Sequence, residues 1–299
     1  MTTSSSWPDS WQTLGSVAPE SLAGPRLQLH RAARVAAVVG KTLLEPAPDD
    51  SHKAFSWFPG MRAMAQRPVE EASQPFHTAL RPEDLELIML SEDNVRLAEL
   101  PLSGRTVAQI YHWLEEEVEG LLGRPLPKEL ATPGDIAGEA ISDQHRFSRQ
   151  PPAAFAELAR YFANAHLLLE HRMAAEAGAG PILVWPHHFD LASLITVSEA
   201  EGDQEAQTIG VGLMPGAGTD GEPYFYVNLW PHDGVDTSAL PELPAGAQWN
   251  TEGWIGGMLP AKALVELSDA GEQARRAGEF VSAAIAACRQ LLDAADGAS

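Results

Sequence analysis

A chain of 299 residues with an apolar share of 44% is long enough for one large domain or two of ordinary size around a real core. Twenty Lys and Arg stand against forty-one Asp and Glu, a formal charge of −21 that repels nucleic-acid phosphates and anionic lipid headgroups. The expected partner is therefore a small-molecule ligand, with no nucleic acid and no membrane, and the oligomeric state is left open.

Cys288 is the single cysteine, which excludes an internal disulfide and a thiolate zinc site. It falls within a helical pattern where a small buried hydrophobe fits better than a nucleophile. The first residues lack a positive stretch followed by an apolar run, and no segment approaches eighteen consecutive apolar residues, so a cytoplasmic protein is expected.

Residues 1–18 are rich in Ser, Pro and Thr and carry Trp7 and Trp11, which predicts a loose arm pinned by two aromatics. Over residues 19–40 the spacing of Leu22, Leu29, Ala33, Ala36 and Val39 predicts an amphipathic helix closed by Gly40 as its C-cap. Short apolar stretches at 53–59, 76–80, 85–90 and 95–102 read as strands, the last two joined as a hairpin through Ser91-Glu92-Asp93-Asn94. A helix is expected over 106–122, with Ser103 as its N-cap. Residues 123–151, with Pro125, Pro127, Pro133 and Pro151, read as a long connection. Residues 152–175 carry the clearest helical period, with Phe155, Leu158, Phe162, His166, Leu169 and Met173 on one stripe. Strands are expected at 182–197, interrupted by Pro186, and at 208–214, 224–230 and 254–259. A final helix, beginning near 261 or 269, runs to 292.

The organisation is thus an arm over 1–18, a first half over 19–122, a connection over 123–151 and a second half over 152–299, the halves packed as one globular unit. Each half runs helix, strands, helix, so the fold class is α+β with mostly antiparallel sheet backed by helices. The shared order suggests a pseudo-duplication, although no alignable repeat is visible.

Chemistry concentrates at two Trp-Pro-His segments, Trp185-Pro186-His187-His188-Phe189-Asp190 and Trp230-Pro231-His232-Asp233. In the strand at 224–230, alternation puts Phe225, Val227 and Leu229 on one face and Tyr224, Tyr226, Asn228 and Trp230 on the other. The first face is core. The second, with Trp185, has the composition of an aromatic-lined groove for a small, partly apolar ligand.

In the strand at 208–214, Gly210 and Gly212 share a face, which implies close approach by a ligand or a packed helix. No cofactor is expected. As the alternative, His187, His188, Asp190, His232 and Asp233 form a set from which two His and one carboxylate would suit a divalent metal and a metal-assisted enzyme. Adjacent strand residues face opposite ways, so His187 and His188 are joint ligands only if Pro186 breaks the strand. Glu222 is a candidate acid or base beside the aromatic strand. No dinucleotide or P-loop fingerprint is present. The third expectation is a protein-interaction module that uses the aromatic face.

Several motifs occur in a recognisable order: Gly40-Lys41 after a helix, His52 before an aromatic strand, Phe189-Asp190-Leu191-Ala192, Gly212-Leu213-Met214-Pro215-Gly216 and Glu222-Pro223-Tyr224-Phe225-Tyr226. In these the chain resembles the uncharacterised bacterial domain-of-unknown-function family 5996, over about residues 11–259. It departs from that pattern where Leu213-Met214 replaces a bulky aromatic of the glycine turn, and in the acidic stretch at 199–205. The resemblance implies common architecture and no activity.

Overall fold

The computed structural model describes residues 7–130, 141–200, 205–217 and 221–296. Helices and two antiparallel sheets make an α+β protein whose chain divides into two compact units. The first comprises Ser21–Ala159 and Leu183–Asp190; the second comprises Met1–Glu20, Arg160–Ile182 and Leu191–Ser299. This division departs from the expected halves in several segments, among them residues 19–20, which fall in the second unit, and 152–159, which fall in the first. The N-terminal arm belongs to the second unit, and the first Trp-Pro-His segment belongs to the first. Residues 131–140 of the expected connection and 201–204 of the acidic stretch lie outside the described residues.

The first unit opens with helix α1 (Ala23–Leu43). A meander of β1 (Ser56–Phe58), β2 (Ala63–Ala65), β3 (Phe76–Arg81), β4 (Glu86–Ser91) and β5 (Arg96–Pro101) then lies in sequence order, every neighbour antiparallel. Helix α2 (Val107–Leu122) follows, and helix α3 (Pro152–Met173) begins in this unit.

Gly40 is not a C-cap: it lies within α1, fully buried. A Cβ there would strike Gln66 Nε2 and sit 2.6 Å from His52 O. The glycine lets the buried Gln66 amide reach the helix, where its Oε1 accepts from Gly40 N–H at 3.2 Å and its Nε2 donates to Lys53 O at 3.2 Å. The expected N-cap Ser103 gives way to Thr106. Its hydroxyl accepts from Gln109 N–H while the Gln109 side chain accepts from Thr106 N–H, a reciprocal box that satisfies two amides of the first turn.

In the second unit the sheet strands are β7 (Leu191–Ser198), β8 (Gln207–Met214), β9 (Tyr224–Trp230), β10 (Gln248–Asn250) and β11 (Gly256–Pro260). They lie in the order β10-β11-β9-β8-β7, all antiparallel. The strand expected over 182–197 is interrupted at Pro186, as its sequence indicates: β6 (Leu183–Val184) belongs to the first unit, where Val184 bridges Phe55, and β7 begins only at Leu191. The expected final helix is two, α4 (Ala261–Val265) and α5 (Ala270–Asp296). Between them Asp269 accepts from Glu272 N–H at 2.9 Å through its carboxylate and starts α5 as an N-cap.

Helix α5 packs against β8, β9 and β11. Phe225, Val227 and Leu229 of β9 are at most 1% exposed, and Cys288 Sγ of α5 comes within 3.9 Å of Val227 O. Burial pushes the Cys288 thiol up to about 12, which makes it a packing residue and not a nucleophile. Among the described residues no helix is long and apolar enough to cross a membrane.

Candidate functional site

The other face of β9 carries Tyr224, Tyr226 and Asn228, all half-buried, and Trp230, which is 46% exposed. Register fixes what lies beside them. Met214, Gly212, Gly210 and Thr208 of β8 pair with Tyr224, Tyr226, Asn228 and Trp230 respectively, and Leu194 of β7 pairs with Gly210. Leu194 is 50% exposed, so two of the largest exposed apolar side chains share this face.

The two glycines face neither a helix nor a vacant slot. A Cβ on Gly210 would overlap Asn228 Oδ1, and one on Gly212 would lie 2.8 Å from the Tyr226 hydroxyl and 2.7 Å from Leu191 O. The side chains of β9 therefore lie down across β8, and the glycines accommodate them. Tyr226 also meets Tyr224 and Trp254 edge-on, at ring separations of 6.4 Å in both cases. The expected groove is thus a low-relief aromatic platform whose floor is filled by its own strand.

Beyond the platform, Trp230 meets the His232 ring edge-on at 4.8 Å. His232 Nδ1 is shielded from solvent and has no hydrogen-bond partner among the described residues. Burial, with Glu20 nearby as a lesser cause, holds the Glu222 carboxyl above its ordinary range. Asp233 is exposed. Trp185, grouped with this face on sequence grounds, belongs to the first unit.

There the segment after β6 is a tight turn and not a strand. Trp185 N–H donates to Asp190 O at 3.0 Å and Phe189 N–H to Trp185 O at 2.6 Å. Phe189 sits in the left-handed region at φ 64° with no exposed surface, its ring stacked on His30 of α1 at 5.4 Å and 5° between planes. His30 Nε2 lies 3.0 Å from Pro186 O, so the nitrogen facing that carbonyl carries the proton. Because the turn replaces the strand, the His187 and His188 rings lie side by side, 4.3 Å apart, instead of on opposite faces, and Trp185 meets His187 at 5.9 Å.

Burial first, then His188 and Lys53, lowers His187 to about 4; burial, with Arg34 and Arg26, does the same to His30. Both imidazoles are uncharged at neutral pH, and a base this weak is poorly matched to proton abstraction there.

The metal set expected from His187, His188, Asp190, His232 and Asp233 does not assemble. The first three lie in one unit and the last two in the other, and among the described residues no group of three or more His, Cys, Asp or Glu is placed to hold a metal ion. His52 and His77 have local duties. His52 Nδ1 accepts from Ala47 N–H at 3.1 Å, and His77 Nδ1 lies 2.8 Å from Gln66 O.

Sequence reasoning missed His30, whose place in α1 reads as one more helical position, and the buried amides of Gln66, Asn164 and Gln273. Nothing in a periodic pattern marks a carboxamide that bonds main chain far along the sequence. No family model matches the chain, and neither a curated protein nor a solved structure similar to it is found.

Proposed function

We propose that this is a cytoplasmic binding protein, of the same architecture as the domain-of-unknown-function family it resembles, whose aromatic platform receives a small, partly apolar ligand by stacking. One observation carries the reading: Leu194 and Trp230 stay about half exposed on one sheet face, Leu194 opposite Gly210 and Trp230 opposite Thr208 in the strand register, with hydroxyl and amide groups of Tyr224, Tyr226 and Asn228 among them. A filled floor suits a ligand with a flat face better than one that must be enclosed.

The test is a metabolite panel scored by thermal shift and tryptophan fluorescence, on the wild-type chain and on Trp230→Ala. A hit that stabilises the wild type and loses about tenfold or more in affinity on Trp230→Ala supports the platform, since a buried aromatic contact of a hot spot is worth at least about 1.4 kcal/mol. A hit that binds both equally, or no hit from a broad panel, overturns it. Light scattering over a range of concentrations tests self-association through the same face. A dimer that Trp230→Ala dissociates would make the face a protein interface.

A further inference from the structure

The N-terminal arm is held in a manner unlike ordinary packing. In the second unit two carboxamides, Asn164 of α3 (1% exposed) and Gln273 of α5 (0% exposed), each bind the main chain of one arm residue at both ends. Gln12 N–H donates to Asn164 Oδ1 at 2.9 Å, and Asn164 Nδ2 donates back to Gln12 O at 2.7 Å. Two residues on, Leu14 N–H donates to Gln273 Oε1 at 2.9 Å, and Gln273 Nε2 donates to Leu14 O at 3.0 Å and to Leu267 O at 2.8 Å.

A neighbouring β-strand would contact residues i and i+2 in this way; here two side chains do so. Because these bonds read only main chain, selectivity falls to the arm's side chains. The Trp11 indole N–H donates to the same Gln273 Oε1 at 3.3 Å while its ring lies 6.2 Å from that of Phe225. Leu14 is 3% exposed. Trp7 stacks on His171 at 5.9 Å and lies over Gly278 of α5, where an added Cβ would stand 3.1 Å from its ring.

We infer that this surface of α3 and α5 is a binding site for a tryptophan-anchored peptide that turns over residues 7–10, where Trp11 N–H donates to Pro8 O at 3.0 Å, and then runs on through 11–14, filled here by the chain's own arm. All the determinants sit on one short linear stretch, residues 7–14, so the same stretch on a separate peptide presents the same groups. Tethering gives the arm an effective concentration on the order of millimolar, so a free peptide enters only when the arm is weakened.

The probe is a fluorescein-labelled peptide of residues 7–16, titrated into the full chain, into the full chain carrying Trp7→Ala and Trp11→Ala, and into that variant with Gln273→Ala added. The doubly substituted chain should bind the peptide at least about tenfold more tightly than the wild type. Adding Gln273→Ala, or replacing the tryptophan at position 11 of the peptide by alanine, should remove about a tenfold factor again, the scale of one hot-spot contact. Equal binding by the wild type and the doubly substituted chain, no binding by a doubly substituted chain with native circular dichroism, or indifference to the peptide's tryptophan overturns the site.

If the substituted chains do not fold, hydrogen exchange on the wild type decides. The amides of Gln12 and Leu14 should exchange through local release of the arm, faster than the buried amides of α5. Exchange of both sets at one common rate would mean that the arm leaves only when the unit unfolds, and the inference fails.

Discussion

The middle strands of the two sheets are built on different plans. In β3 and β4 the first five residues are all buried, so both faces are covered and the segments read as near-continuous apolar runs. In β9 burial alternates residue by residue, one face packed on α5 and the other left partly to solvent with tyrosine, asparagine and tryptophan on it. A strand buried on both faces offers packing and nothing else. A strand with one open face can carry recognition, which is why the candidate ligand surface falls on β9 and not on the more apolar β4.

The comparison breaks most readily at the core. Ile88 of β4 has no exposed surface and belongs to a cluster with Ala63, Ala65, Ala79 and Leu90. Ile88→Ala should cost about 2–5 kcal/mol in urea unfolding, the usual range for such a truncation when neighbours cannot collapse into the space. A cost under about 1 kcal/mol would show that this sheet tolerates voids.

The glycine pair of β8 gives the next effect, and a ranking. Gly212→Ala sets a Cβ 2.7 Å from Leu191 O, a main-chain atom that cannot turn aside, and should destabilise by about 1–3 kcal/mol. Gly210→Ala meets only the Asn228 carboxamide, which can rotate off the strand, and should cost less than about 1 kcal/mol. Equal losses at the two positions would show that the Asn228 carboxamide is held over Gly210 as firmly as the Leu191 main chain stands over Gly212.

How far these features were legible in the sequence follows from the range of the forces involved. Alternation along residues 224–230 is a local pattern, and it gave the two faces of β9 residue for residue. The hairpin at Ser91-Asn94 was equally local. Gly40 misled because glycine near a helix end commonly caps it, whereas here it admits Gln66, twenty-six residues away. The three-residue β2, Ala-Met-Ala, has too little length and β-preference to register against its neighbours. His187 and His188 were read through strand alternation, and the turn that brings them together is fixed partly by His30, 156 residues from Pro186. The arm looked loose because what holds it, Asn164 and Gln273, lies 152 and 259 residues away in the chain.

That histidine turn yields an effect in the first unit that should appear only in acid. His30 keeps its neutral form down to about pH 4 when folded, whereas an unfolded chain protonates near its ordinary value of about 6.5. Between those values the unfolded state binds the extra proton, so stability is full above about pH 6.5 and declines as pH falls toward 4. Urea unfolding at pH 7.5, 5.5 and 4.5 should show that decline, and His30→Gln should make it shallower by about 1–2 kcal/mol over the window, because glutamine has no proton to take up. Parallel pH curves for wild type and variant would mean that the His30 imidazole charges freely in the folded chain.

The smallest effect is the most discriminating. Leu194 is as apolar as Ile88, but it stands 50% exposed on the platform instead of inside a cluster. Leu194→Ser should therefore change stability by no more than about 0.5 kcal/mol, the ordinary scale for a surface substitution. If it costs about 2 kcal/mol or more, the leucine supports the sheet and the open face is structural. If stability is unmoved while a panel hit loses affinity, an apolar side chain is being kept in water for the sake of what it contacts, which separates a recognition surface from incidental exposure.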